Sequence, residues 1–235
     1  MKKSVTLFCL CLLLLSAVET FGKALVVTLG GTFYIIKLPD GCNEFQTVIS
    51  GTDKIWMDRN LGACRVAQSI DDTQAYGDFY QWGRGTDGHE KRDPLSMTTP
   101  ELSDVDIPGH GKFIIAPDYP WDWREEQNNG LWQGVDSMNN PCPSGFRLPT
   151  SDEWKDEITQ YGATPSALFN SPLKLVTAGS RWYNSGVVDE EGSGGYYWSS
   201  TASSEYPDRL EFHGTTATVY RNFRATGYSV RCIKD

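Results

Sequence analysis

The sequence has few of the residues that build metal sites. Three histidines occur in 235 residues, at His89, His110 and His213, and their separation gives no metal-ligand spacing. No Cys-x-x-Cys pair is present either, and no run of aspartates has the spacing of a dedicated calcium loop. We therefore expect no bound metal and no cofactor.

The chain also lacks an excess of positive charge. Thirty acidic residues face 21 lysines and arginines, so the formal net charge is -9. Because a nucleic-acid-binding face is normally basic, this balance argues against a nucleic-acid partner. It does not identify another partner, since an acidic surface chiefly serves solubility.

Long apolar runs are missing except near the N-terminus. Lys2 and Lys3 precede an apolar run over residues 5–18, which is typical of a secretory signal peptide and short for a membrane span. We predict a signal peptide over residues 1–22, with the cleavage site left open. The rest of the chain is expected to be exported and soluble, with no integral membrane segment after cleavage.

Export makes disulfides the expected state of the cysteines. Cys9 and Cys11 lie inside the N-terminal apolar run. The other cysteines are Cys42, Cys64, Cys142 and Cys232. Four cysteines allow three connectivities, among which the sequence alone does not choose. Our expectation is one bridge between Cys42 and Cys64 and a second between Cys142 and Cys232.

The clearest local structure in the sequence is a helix start near residue 150. Thr150 is a good N-cap, and Glu153 three residues later completes a capping box. Trp154 and Ile158 then fall on one face, and Gly162 supplies a stop. A second short helical turn is predicted to begin at residues 164–165, where proline takes the first helical position.

The remaining pattern favours short strands, because 23 glycines and 12 prolines punctuate the chain. Strands are predicted at residues 25–29, 32–38, 45–49, 113–116, 173–176, 180–183, 196–201, 209–213, 216–222 and 228–233. Residues 55–63 are predicted to be a strand that leads into a loop closed by Gly62. We expect one α+β domain over residues 25–235, built from short antiparallel strands, two short helices and long loops.

Two segments between these elements have a biased composition. Residues 75–83 are dense in aromatics and predict a short buried helix, with Tyr76, Phe79 and Tyr80 on one face. Residues 85–135 are rich in glycine, proline, aspartate and threonine, which predicts a long loop insertion. Two histidines lie in this loop, where we expect them to be exposed.

Five motifs stand in order along the chain: IWMDRNLG at 55–62, YGDFYQWGR at 76–84, CPSGFRLPT at 142–150, YWSST at 197–201 and GYSVRC at 227–232. Together they resemble the Fibrobacter succinogenes major paralogous domain, a family of exported bacterial proteins, over roughly residues 31–235. The resemblance implies a C-type-lectin-like fold, related to the formylglycine-generating sulfatase-modifying group.

A second resemblance concerns the C-terminal segment. Target proteins of diversity-generating retroelements have similar Trp-Ser-Ser-Thr and Ser-Val-Arg-Cys strands, and exposed residues between the two strands bind ligands. This resemblance implies a ligand-binding surface within residues 203–224. Its candidate contact residues are Tyr206, Asp208, Arg209, His213, Arg221, Asn222 and Arg224. The alternative is that these are ordinary solvated side chains.

These observations predict a non-enzymatic binding or surface-interaction module that recognises an unknown protein or glycan ligand. Its expected location is secreted, periplasmic or at the bacterial cell surface. The Glu-Pro-Asn and Gln-Pro-Asp strings of calcium-dependent sugar binding are absent.

Two alternatives stay open: a formylglycine-generating-type enzyme and a structural component of the cell envelope. That enzyme chemistry needs two reactive cysteines near the C-terminal end, where Cys232 stands alone, and related iron enzymes need a histidine cluster.

Overall fold

The structure is a computed structural model. It describes the backbone of three strands within residues 15–37 and the chain at residues 44–92, 97–203 and 205–235. The chain divides into two compact units, Met1–Cys42 and Asn43–Asp235. The domain predicted over residues 25–235 therefore includes parts of both units.

The described part of the first unit is a three-stranded antiparallel sheet. Its strands are β1 (Leu15–Phe21), β2 (Ala24–Leu29) and β3 (Thr32–Lys37), in that spatial order. The strands predicted at 25–29 and 32–38 are confirmed by β2 and β3. β1 lies inside the segment predicted as a signal peptide, which stays a prediction.

The second unit consists mainly of short strands. They are β4 (Thr47–Ile49), β5 (Ile55–Met57), β6 (Tyr80–Gln81), β7 (Thr98–Thr99), β8 (Phe113–Ile114), β9 (Phe146–Arg147), β10 (Ser180–Arg181), β11 (Val188–Asp189), β12 (Gly194–Ser203), β13 (Tyr206–His213), β14 (Thr216–Arg221), β15 (Gly227–Tyr228) and β16 (Ile233–Lys234). The helices are α1 (Ser151–Tyr161), α2 (Pro165–Asn170) and a 3-10 turn (Thr73–Ala75). Mostly antiparallel strands with two short α-helices confirm the α+β class. None of the helices in the described ranges is long and apolar enough to cross a membrane.

The sheet with the longest strands of the second unit supports the C-terminal surface. It has the order β12-β13-β14, so β14 is one of its two edge strands. One face of this sheet packs on α1, where Trp154 joins an apolar cluster with Tyr197, Leu210 and Phe212. Two four-stranded sheets, β4-β5-β16-β9 and β11-β10-β15-β6, complete the frame with the parallel pair β7-β8.

The start of α1 agrees with the sequence-based prediction. The Thr150 hydroxyl accepts a hydrogen bond from the Glu153 amide, and the Glu153 carboxylate accepts one from the Thr150 amide at 2.8 Å. Arg147 donates two further bonds of 2.9 Å to Glu153 and one of 2.8 Å to Asp235. The helix stops at Gly162, whose φ of 110° suits glycine.

The bridge between Cys142 and Cys232 is confirmed, with an S–S distance of 2.07 Å. It joins the segment before α1 to the last strands across 90 residues of sequence. Cys64 is also disulfide-bonded, whereas its predicted partner Cys42 lies outside the described residues. The second half of the predicted connectivity therefore stays a prediction.

The helix predicted over residues 75–83 is wrong. A 3-10 turn ends at Ala75 and a strand forms at Tyr80–Gln81, because Gly77 and Gly83 adopt φ values of +69° and +87° that end a right-handed helix. The expected burial is nevertheless confirmed, with the three aromatic side chains almost fully enclosed: Tyr76, Phe79 and Tyr80.

The strand predicted at residues 173–176 is also wrong, although its apolar side chains are buried. Side chains supply most of the hydrogen bonds that its backbone makes. The Tyr197 hydroxyl accepts from the Val176 amide at 2.8 Å and donates to the Val176 carbonyl at 3.0 Å, and Arg231 donates to the Leu173 carbonyl. The strand predicted at 228–233 is split into β15 and β16.

We predict that replacing both bridged cysteines, in Cys142→Ser with Cys232→Ser, lowers the free energy of unfolding by about 4–5 kcal/mol. The reason is that a closed loop of this length removes chain entropy from the unfolded state. Urea unfolding of the native and double-serine proteins measures the difference. An unchanged unfolding midpoint would contradict the prediction.

Candidate functional site

An open groove of about 720 Å³ lies beside β13 and β14, and we call it the β14 groove. Its lining residues are Lys155, Tyr206, Asp208, Arg209, Val219, Tyr220, Arg221, Asn222 and Phe223. Five of the seven predicted contact residues are among them: Tyr206, Asp208, Arg209, Arg221 and Asn222. The structure therefore brings together most of the surface that the sequence indicates.

The β13–β14 hairpin is what assembles this groove. Its antiparallel register places Asp208 opposite Arg221 and Arg209 opposite Tyr220. Residues more than ten positions apart in sequence thereby become neighbours. Sequence reasoning missed Lys155, which α1 brings to the groove, because only tertiary packing relates that helix to the hairpin. It also missed Tyr220, although strand alternation within 216–222 was a usable signal.

Arg209 is the fixed member of the groove. Only 7% of the residue is exposed, and its guanidinium donates to the Arg221 carbonyl at 2.6 Å and pairs with Glu211. The same guanidinium lies 5.6 Å from the Tyr196 ring centre and 5.3 Å from that of Tyr228. These contacts hold the cation in one place before any ligand arrives, which reduces the ordering cost of binding.

Tyr220 and Arg221 are exposed members of the groove. Tyr220 is 65% exposed, and the Arg221 side chain is 62% exposed. Arg221 lies 3.7 Å from Asp208, a partly exposed ion pair of small energetic value. Both side chains are therefore free to change partners when a ligand contacts the groove.

An aromatic row borders the groove, and we define it as Tyr119, Trp121, Tyr206, Phe223 and Tyr183. Ring centres are 4.6 Å apart between Trp121 and Phe223, and 4.7 Å apart between Phe223 and Tyr183. Trp121 has a φ of +57°, which is uncommon for a bulky residue. Tyr119 and Trp121 belong to the loop insertion at 85–135, which therefore supplies part of the surface beside the hairpin.

Two predicted contact residues do not join the groove. Arg224 is 1% exposed, because its guanidinium lies 4.4 Å from the Trp82 ring centre and 3.5 Å from Asp122. The expectation that Arg224 is an exposed contact residue is therefore wrong. His213 is exposed, but it stands at the opposite end of β13 and does not line the groove.

A smaller pocket of about 210 Å³ adjoins this site, and we call it the inner pocket. It is lined by Ser180, Trp182, Glu190, Tyr196, Arg209, Glu211, Asn222, Thr226 and Tyr228. Arg209 and Asn222 line both the groove and the inner pocket. The two concavities therefore share a wall.

A cluster of potential metal ligands lies elsewhere, at Asp87, His89 and Glu90. His89 is buried, which corrects the expectation that it is exposed in the loop. The Gln81 amide donates to its Nε2 at 3.1 Å, so Nδ1 carries the proton and donates to Asp87 at 2.5 Å. Both ring nitrogens are engaged, and the arrangement fits a structural hydrogen-bond network.

Comparison of the chain with protein-family models, with curated proteins and with solved structures finds no match.

We predict that Arg224→Ala destabilises the protein by about 3 kcal/mol, whereas Arg221→Ala changes stability by less than about 0.5 kcal/mol. Burial raises the pKa of Asp122 to about 6, and loss of Arg224 would leave this carboxyl enclosed without its cation. Urea unfolding of both variants at neutral pH measures the contrast. Equal effects would show that Arg224 is not part of the folded frame.

We also predict that His89 makes the stability of the fold sensitive to acid. Burial lowers the pKa of its imidazole to about 4, below the unfolded value near 6.5, so the folded state favours the neutral ring. The neutral ring therefore contributes to the free energy of unfolding in full above pH 6.5. This contribution is lost as the pH falls towards 4, and at pH 5 the loss is about 2 kcal/mol. NMR titration of the His89 ring checks the cause; a midpoint near 6.5 would contradict it.

Proposed function

We propose that this chain is an exported, non-enzymatic binding module with a C-type-lectin-like fold, and that it holds a protein or glycan ligand in the β14 groove. One observation carries the proposal. Five of the seven residues that the sequence predicts as ligand contacts line a single open groove beside β14, an edge strand of the β12–β14 sheet.

The chemistry of the groove supports binding. Tyrosine, tryptophan and arginine are the side chains that most often anchor interfaces, because they combine a large contact area with polar groups. Here Tyr220 and Arg221 are exposed, and Tyr206 and Phe223 continue into the aromatic row. The buried Arg209 side chain holds one wall of the groove in place through its hydrogen bond to the Arg221 carbonyl.

The state of the cysteines supports a non-enzymatic role. The formylglycine-generating alternative needs a reactive thiolate near the C-terminal end of the fold. Cys142 and Cys232 are joined in a disulfide, so neither offers a thiolate in this arrangement. Thiol titration of the native protein distinguishes the two functions, because free thiols at these positions would restore the enzyme alternative.

Export is proposed on two grounds. The N-terminal sequence has the charge and apolar length of a signal peptide. The disulfide that spans the second unit suits an oxidising compartment, such as the periplasm or the extracellular space. A structural component of the cell envelope is the alternative within the same compartment, and it predicts no soluble ligand.

The test is binding of the purified native protein to a glycan array and to a panel of extracellular proteins. We expect at least one ligand whose affinity falls tenfold or more in Arg221→Glu and in Tyr220→Ala. Lys54→Glu is the matched control, because this exposed lysine lies beside β5 in another sheet. The absence of any ligand, or equal binding by the groove variants and the control, would overturn the proposal.

A further inference from the structure

The inner pocket combines aromatic walls with charged and hydroxyl groups. The Tyr196 and Tyr228 rings stack with centres 5.1 Å apart, and Trp182, which is 40% exposed, stands at the pocket. Glu190 accepts a 2.6 Å hydrogen bond from the Tyr196 hydroxyl, and Glu211 pairs with Arg209. Such a mixture of flat rings and fixed polar groups is typical of a small-ligand site.

Two lining residues carry buried polar atoms that lack hydrogen-bond partners within the described ranges. They are the Thr226 hydroxyl oxygen and the Arg209 Nε. Buried polar groups normally find a partner, since leaving one unpaired costs about 1–3 kcal/mol. Both residues line the inner pocket, so a ligand with oxygen acceptors would supply what this region lacks.

The charges of the pocket restrict the class of ligand. A cation would compete with Arg209, whose guanidinium already lies near the Tyr196, Tyr220 and Tyr228 rings. An anion would face the carboxylates of Glu190 and Glu211. A neutral ligand that both donates and accepts hydrogen bonds fits better, because its donors suit the carboxylates and its acceptors suit Arg209, Asn222 and Thr226.

The size and shape of the inner pocket restrict the class of ligand further. The volume of about 210 Å³ is below the range of about 300–1,000 Å³ that is usual for drug-sized ligands. A single pyranose ring has this scale, carries hydroxyl donors and acceptors around its edge, and presents an apolar C–H face to an aromatic side chain.

We infer that the inner pocket binds one neutral sugar ring, without a metal, as a subsite of the β14 groove. The inference rests on the proposed function, since Arg209 and Asn222 form a wall of both concavities. A ligand would place a terminal sugar in the inner pocket and extend into the groove past this wall.

The key variant is Thr226→Val, which removes the unpaired hydroxyl and keeps the shape of the side chain. Saturation-transfer NMR and thermal shift measure the binding of neutral hexoses, acetate and tetramethylammonium. Each ligand is tested with the native protein, with this variant and with Thr218→Val. Thr218 is an exposed control on β14 that does not line the pocket. We expect a hexose, and neither ion, to bind the native protein. Thr226→Val should keep or raise the melting temperature and weaken hexose binding at least fivefold, while Thr218→Val binds like the native protein.

Binding of either ion in place of the hexoses, the absence of hexose binding, or unchanged binding by Thr226→Val would overturn the inference. Glu190→Gln provides a second variant, and it should also weaken the binding of the hexose. The groove variants distinguish the two proposals. If Arg221→Glu abolishes binding of an array ligand but no hexose binds, the inner-pocket inference fails and the proposed function stands.

Discussion

The disulfide between Cys142 and Cys232 is the constraint on which the second unit depends. It connects the chain just before α1 with the chain just before β16, and Arg147 strengthens the same junction through Glu153 and Asp235. Because α1 packs beneath the β12–β14 sheet, this junction fixes the helix against the hairpin that forms the groove. The frame and the candidate site are therefore mechanically linked.

On this frame, two of the buried arginines, Arg224 and Arg209, have different roles. Arg224 lies between Trp82 and Asp122 and holds the C-terminal loop against the interior. Arg209 is also buried, but it lies between two concavities and contacts the backbone of β14. Burying charged side chains is costly unless they are paired, which explains the carboxylate beside each one. Of these two arginines, Arg209 has a position from which it can also meet a ligand.

Local signals predicted the parts of this fold that local chemistry determines. The capping box at Thr150 and the two neighbouring strands β13 and β14 depend on local residues, and the sequence predicted both. The burial of Arg224 was not, because its partner Trp82 is more than a hundred residues away. The segment at 173–176 has the apolar pattern of a strand, yet the Tyr197 hydroxyl satisfies its backbone. Long-range side-chain partners, which no short pattern reveals, account for these differences.

We propose the β14 groove as the ligand-binding surface. The most direct measurement is amide hydrogen exchange of the native protein with and without a ligand identified on the array. The account predicts that slowed exchange is concentrated in residues 206–223 and at the start of α1, which borders the groove through Lys155. Protection confined to other surfaces, such as the β4–β5 turn, would contradict it.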